Sequence, residues 1–360
     1  MRLRWLGLVV VVGGAVGCGE LLGLGDPVDA SADAGFSEAA PNDGASDQGH
    51  TGDTGDTGDT GYSGDTGDIG DTGDGGIDGA GPDASPPCEL GMPFGAPQLV
   101  AGTGVNTTTA NEGTPRLSPN ELTLYFWSDR TADGGTGYSH IYVATRAAKT
   151  APFDPPMLLA SVDSAGNDDS PTVTADGMTL VLASDRASPG GNDMLYTGTL
   201  GANGQFGTPQ LLANVNSTFD ETTPYLRPDG QILYFASDRG GTGGYDIYRA
   251  ALQAGAFTAP QDESELDSTN SDFSPTVSPD DTVIYWGSDR PGALGGAADY
   301  DIYVAQRPNV LVGFGPATNL GAPLNSTAVD LPGWISPDGC TLYMESARAG
   351  TRDLYVAQRP

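Results

Sequence analysis

Five carboxylates recur at one place in a repeated phrase. Glu112, Asp168, Glu221 and Asp272 each stand three residues before a proline (Pro115, Pro171, Pro224 and Pro275), and Asp330 stands two before Pro332. Oxygen ligands gathered from several segments suit Ca2+ or another hard cation. Two carboxylates at the right spacing also hydrolyse glycosidic bonds. A second set is Ser-Asp-Arg, at Ser128-Asp129-Arg130, Ser184-Asp185-Arg186, Ser237-Asp238-Arg239 and Ser288-Asp289-Arg290, with Ser346-Ala347-Arg348 as the fifth copy. A charged triplet invites a catalytic reading. A group present in every repeat is explained more economically by what each repeat needs to fold, with arginine bridging strand ends and serine or aspartate satisfying loop amides. For the five acids the corresponding plain expectation is that they cap turns and stay solvated, and the sharper alternative is a ring of metal ligands at one mouth of a channel.

Other catalytic signals are scarce. The chain has two histidines. His50 lies in an acidic low-complexity segment, and His140 stands where three other repeats carry the aspartate of Asp-Ile/Leu-Tyr (Asp246, Asp301, Asp353). A histidine triad around His50 is excluded, and His140 reads as a substituted structural position. There is no H-E-x-x-H, P-loop, Rossmann fingerprint or G-x-S-x-G elbow. No catalytic residue and no organic cofactor is assigned.

The elements that must position these residues follow from the repeat, which is read before any site. "TPRLSPNELTLYFWSDR" from Thr114 returns as "SPTVTADGMTLVLASDR" from Ser170, "TPYLRPDGQILYFASDR" from Thr223, "SPTVSPDDTVIYWGSDR" from Ser274 and "LPGWISPDGCTLYMESAR" from Leu331, with a period of 51 to 57 residues between the prolines. Pro-Asp-Gly is a reversal signal, so its flanks pair as antiparallel strands. The following runs, such as "TVIYW", are apolar without alternation, which predicts strands covered on both faces. A third strand follows ("HIYVATR", "DMLYTGT", "DIYRAAL", "DIYVAQR", "DLYVAQR"), then a fourth ("PFDPPMLL", "QFGTPQLL", "AFTAP", "GFGPATNL"). Four strands per repeat, buried on both faces and without helical periodicity, predict an all-β fold: a five-bladed β-propeller over residues 88–360.

The count closes on itself. The fifth repeat stops at Pro360 after its third strand, and an orphan fourth strand, "PFGAPQLV" from Pro93, precedes the first repeat. The N-terminal strand is therefore expected to complete the last blade. Cys88 lies six residues before Phe94 and Cys340 opens the second strand of that blade. A Cys88–Cys340 disulfide across the closure is expected, the alternative being two separate buried thiols.

The quoted "SPDG", apolar strand, "SDR" and "DIY" resemble the WD40-like Pro-Asp propeller repeats best known from TolB, the periplasmic protein of the Tol-Pal envelope system. The resemblance covers residues 88–360 and implies a propeller. TolB-like proteins carry a separate N-terminal domain and six blades, so the resemblance does not transfer the Tol role.

The first quarter of the chain is of another kind. "MRLRWLGLVVVVGGAVGC" (1–18) has a basic start, an apolar run and small residues before a cysteine. It reads as a secretory signal too short to span a bilayer. Its end resembles a lipoprotein box, with Cys18 lipidated as the first mature residue; an ordinary secreted protein with a free Cys18 is the alternative. Residues 19–87 carry sixteen Asp or Glu and no Lys or Arg, and predict a disordered acidic tether. Glycine at every third position from Gly52 to Gly79 suggests collagen, but the run lacks proline and would crowd like charges, so a self-repelling coil is expected. The net charge of −32 argues against a nucleic-acid partner. Gly19 after the cysteine favours the outer membrane, facing periplasm or cell surface. The functional expectation is a non-enzymatic envelope lipoprotein presenting a monomeric propeller to another envelope protein or a glycan, through loops that include 131–139, 261–270 and 291–300. The runner-up is a glycan-active hydrolase using Glu112 and Glu221.

Overall fold

The computed structural model describes residues 88–131, 138–240, 244–296 and 299–360; the expected signal, the lipidated Cys18 and the acidic segment to Pro87 lie outside them. The first strand, β1 (Gln98–Leu99), belongs to the last blade. Blade 1 is β2 (Glu112–Leu117), β3 (Thr123–Ser128), β4 (His140–Thr145) and β5 (Met157–Leu158). Blade 2 is β6 (Asp168–Val173), β7 (Thr179–Ser184), β8 (Met194–Thr199) and β9 (Gln210–Leu211). Blade 3 is β10 (Glu221–Leu226), β11 (Ile232–Ser237) and β12 (Asp246–Gln253), with β13 (Ala256–Phe257) and β14 (Gln261–Asp262). Blade 4 is β15 (Asp272–Val277), β16 (Val283–Ser288), β17 (Asp301–Gln306) and β18 (Thr318–Asn319), and blade 5 is β19 (Asp330–Ile335), β20 (Thr341–Ser346) and β21 (Asp353–Gln358) with β1.

Innermost strands β2, β6, β10, β15 and β19 each pack against those of both neighbouring blades, so the ring is closed. Six apolar clusters fill the five interfaces between blades. Trp334 and Tyr343 of blade 5 meet Phe126 and Leu117 of blade 1, and Tyr225 and Tyr234 of blade 3 meet Trp286 and Val277 of blade 4. Four of the five apolar second strands are buried on both faces because each blade is sandwiched between two others, while β3 alternates, with Tyr125 and Trp127 half-buried.

The first hairpin of each blade is set by side-chain chemistry. Asn120, Asp176, Asp229, Asp280 and Asp338 accept the amide two residues on, an Asx turn that reverses the chain. The residue after each of these adopts a left-handed φ. Glycine supplies it at Gly177, Gly230 and Gly339, while Glu121 and Asp281 hold it at 59° and 60°. In four innermost strands a register shift spans the repeat proline, whose missing N–H interrupts the ladder, and in β19 the shift follows Pro332, at Gly333. Just before four of these prolines, Thr114, Ser170, Thr223 and Ser274 sit at φ between 46° and 56°. Such strain costs about 1–3 kcal/mol per residue and persists only where the surroundings fix it.

Blade 3 departs from the sequence expectation. "AFTAP" supplies β13, a hairpin extension of β12, while the outer position is taken by β14 just beyond it, paired Tyr248 to Asp262 as Tyr142 pairs with Leu158 in blade 1. The N-terminal segment closes blade 5 through Gln98 opposite Val356 and Leu99 opposite Tyr355. Cys88 and Cys340 form a disulfide, Cα atoms 5.6 Å apart. Arg359 reaches the carbonyls of Leu90 and Met92 beside it.

Candidate functional site

The repeated residues assemble into one interlocked unit per blade. Arg130, Arg186, Arg239, Arg290 and Arg348 pair with Glu112, Asp168, Glu221, Asp272 and Asp330 at 3.2, 2.5, 2.8, 2.5 and 2.6 Å, and all five acid side chains are wholly buried. Each arginine donates through Nε to the serine two residues before it and through Nη2 to a carbonyl of the preceding loop: Val105, Val162, Val215, Leu266 or Leu324. The third-strand tyrosines Tyr142, Tyr196, Tyr248, Tyr303 and Tyr355 lie under the guanidinium groups at 4.6 to 5.1 Å, a cation–π contact. Acid, Ser-x-Arg and tyrosine thus tie the first three strands of a blade together.

In four of the five the remaining carboxylate oxygen is spent on a loop amide. Glu112, Glu221, Asp272 and Asp330 accept from the amides of Thr107, Ser217, Ser268 and Ser326. Burial pushes the Glu112 carboxyl above its ordinary range, and the Thr107 amide and hydroxyl and the Arg130 charge act against it. The aspartates of the triplet cap the same loops: Asp129, Asp185, Asp238 and Asp289 accept the amides of Asn111, Asn167, Asp220 and Ser271.

This arrangement corrects the picture of a solvated ring. The five acids are buried, each held by the arginine of its own blade, and among the described residues no group of three brings its ligand atoms within 4.8 Å except one that contains Asp168 alone of the five.

Sequence reasoning missed the residue that fills the ring's axis. Arg116 follows the first repeat proline where the other copies have Thr172, Tyr225, Thr276 and Gly333. Its Nη1 donates to Thr276 Oγ1 at 2.7 Å and its Nη2 to the carbonyls of Pro224 and Pro275, while the guanidinium lies 4.9 Å over Tyr225. Burial lowers its pKa to about 10, against the opposing pull of Tyr225 and Glu345. Glu345 is another singular residue, standing where other blades have Trp127, Ala183, Ala236 and Gly287. It is buried, accepts the Thr114 amide at 2.7 Å and pairs with Arg352 at 2.9 Å. The signal was present as a lone charge in a column of small and aromatic residues.

A further repeated element escaped notice. Asn106, Asn216 and Asn325 clamp the backbone of Leu354, Leu195 and Ile302, taking the amide and giving a hydrogen bond to the carbonyl. The corresponding residues are Asp163 before blade 2 and Asp267 before blade 4. Asp163 instead meets His140 Nδ1 at 2.6 Å. Asp267 lies with Asp262 and Asp246; burial first, then the hydrogen bond and charge of Asp262, push its carboxyl upward. Burial, then Asp262 and Asp272, push Asp246 up to about 6. Of the expected surface loops, Leu266 is buried in the interface of blades 3 and 4, and residues 132–137 and 297–298 lie outside the described residues.

No protein-family model and no curated protein matches this chain. Solved structures similar in fold include TolB from Acinetobacter baumannii, at 16% identity and TM-score 0.41 over 71% of this chain and 56% of that one. Others are a thermostable family-43 glycoside hydrolase, at 13% identity and TM-score 0.45 over 70% and 89%, and a puromycin-hydrolyzing peptidase from Mycobacterium tuberculosis, at 15% and 0.39 over 69% and 36%. The chain spans little more than half of that TolB and about a third of that peptidase.

Proposed function

We infer that the chain is a non-enzymatic cell-envelope lipoprotein, held at the outer membrane through Cys18, whose propeller is a rigid binding scaffold for another envelope protein or a glycan. One observation carries this reading: the acids that sequence spacing singles out are each neutralised by an arginine of the same blade and wholly buried. Glu112 and Glu221, the acid pair of the hydrolase reading, have no face open to a sugar or a water. Arg116 is itself tied across the axis to blades 3 and 4. The ionisable groups serve rigidity, and loops from several blades are left to form a surface.

Photocrosslinking amino acids placed in living cells at Thr131, Tyr138 and Leu294, with Leu99 on the outer edge as control, test the scaffold. A partner captured from the loop positions and not from Leu99 is expected, together with no turnover of a polysaccharide panel by the purified protein. Polysaccharide cleavage that disappears in a folded Glu112→Gln/Glu221→Gln variant would overturn the reading in favour of the hydrolase. Metabolic labelling with a radioactive fatty acid tests the anchor, and Cys18→Ser should abolish it.

A further inference from the structure

The blade pattern breaks twice at one place, and the two breaks touch. At the start of the third strand, blade 1 has His140 where blades 3, 4 and 5 have Asp246, Asp301 and Asp353; in the next loop Asp163 replaces the clamping asparagine seen as Asn106, Asn216 and Asn325. The geometry points to a divalent transition-metal site, of the kind that takes Zn2+, formed by His140, Asp163 and Asp168 at the junction of blades 1 and 2.

Three observations converge there. A ring nitrogen of His140 and one oxygen from each carboxylate lie within 4.8 Å of one another. His140 is 6% exposed and Asp168 is 0% exposed, yet His140 Nε2 and Asp168 Oδ2 are both buried without a hydrogen-bond partner. The other four blades show what Asp168 lacks, since the second oxygens of Glu112, Glu221, Asp272 and Asp330 each take a loop amide. Blade 2 keeps the turn of the other loops, the Gly166 amide on Ser164 Oγ as Phe219, Asn270 and Ala328 bond Ser217, Ser268 and Ser326, and lacks only the amide on the acid. Buried polar atoms are nearly always satisfied, so two orphans in one three-residue cluster mark a missing occupant.

The donor set chooses the ion. Imidazole with two carboxylates suits zinc and its neighbours in the first transition row and is too poor in oxygen for Ca2+, which takes six to eight oxygen ligands. Zinc bonds of about 2.0–2.2 Å bring ligand atoms closer together than they stand here. Asp163, whose side chain is 29% exposed, has the freedom to close that gap and gives the ion a way in from solvent. Arg186 already holds Asp168 Oδ1 at 2.5 Å, leaving Oδ2 for the metal. His140 Nδ1 faces Asp163 at 2.6 Å, and the unpartnered Nε2 is the nitrogen left for the ion once Asp163 swings away from Nδ1 to join it as the third ligand. The ion would staple the third strand of blade 1 to the first strand of blade 2.

The test uses the purified chain stripped of metal, titrated with Zn2+ by calorimetry, with Co2+ as an optical probe and melting as a second readout. Asp163→Asn restores the clamp of three other loops and should melt like the metal-free parent, while His140→Asp recreates the Asp246 and Asp267 juxtaposition of blade 3 and should fold, its own metal-free melt serving as its baseline. The expected results are one Zn2+ per chain, a higher melting temperature with Zn2+ than without, and affinity at least roughly a hundredfold weaker in His140→Asp and roughly tenfold or more weaker in Asp163→Asn, which trades a charged ligand for a neutral one. His50→Ala should change nothing. No saturable Zn2+ uptake, uptake that survives His140→Asp, uptake that follows His50, or a cluster that answers to protons alone would each overturn the proposal.

Discussion

Arg116 Nη1 donates to Thr276 Oγ1 at 2.7 Å across the axis of the ring, between residues 160 apart in the chain. The same guanidinium reaches carbonyls of blades 3 and 4, so one side chain of blade 1 reports on the assembly of the opposite side. Arg116→Lys keeps a positive charge but not the fork that serves three acceptors or the stacking on Tyr225. The expected loss is about 2–4 kcal/mol, read from the denaturant midpoint.

Glu221→Gln should act as a folding lesion. It leaves Arg239 facing a neutral amide inside the blade, and removing one partner of a buried pair costs about 3–5 kcal/mol. Circular dichroism melts measure it, and the equivalent change in any other blade should behave alike.

Ala347→Asp should stabilise. The other four triplets have an aspartate capping the amide of a residue 18 positions upstream, and in blade 5 that amide belongs to Val329. Supplying the acceptor is expected to add about 1 kcal/mol, visible as a higher melting temperature.

Reducing the Cys88–Cys340 bond, which spans 252 residues of sequence, should lower stability by up to about 5–6 kcal/mol in the chain-entropy picture. Melting with and without reductant measures it. Cys88→Ser/Cys340→Ser should show the same loss and no response to reductant.

The Asp246–Asp262–Asp267 cluster makes stability depend on pH. Asp246 is raised from 3.8 to about 6, so the folded chain holds a proton that the unfolded chain releases; that contribution is present below about pH 4 and lost as pH rises through 6. Asp267 is raised in the same sense. Asp267→Asn, the residue of three other clamps, should be more stable than the parent at pH 8 by about 1 kcal/mol and should narrow its loss between pH 5 and 8. Denaturant midpoints at the two pH values decide it.

What the sequence made legible was whatever repeats. Blade number, the strand from Pro93 closing the ring and the structural use of Ser-Asp-Arg all followed from comparing one copy with the next. The acids were placed correctly ahead of the innermost strands, but their burial was not, because the arginine that neutralises Glu112 is 18 residues away and spacing does not say which way it turns. Arg116 and Glu345 were hidden by being singular, and the Val/Leu-Asn/Asp-Ser/Thr motif by lying in loops of uneven length. In blade 3 the fourth strand was misplaced because Ala256–Phe257 is apolar enough to pair, and it pairs with the wrong end of β12.

The ring closure also has a mechanical side. A pull on the chain before Cys88 enters the disc through sulfur at Cys340, in the turn between β19 and β20, and bypasses the two-residue pairing of β1 with β21. That two-residue pairing is thereby kept out of the line of force. A force applied through Cys88 would load the covalent bond before it loads that strand.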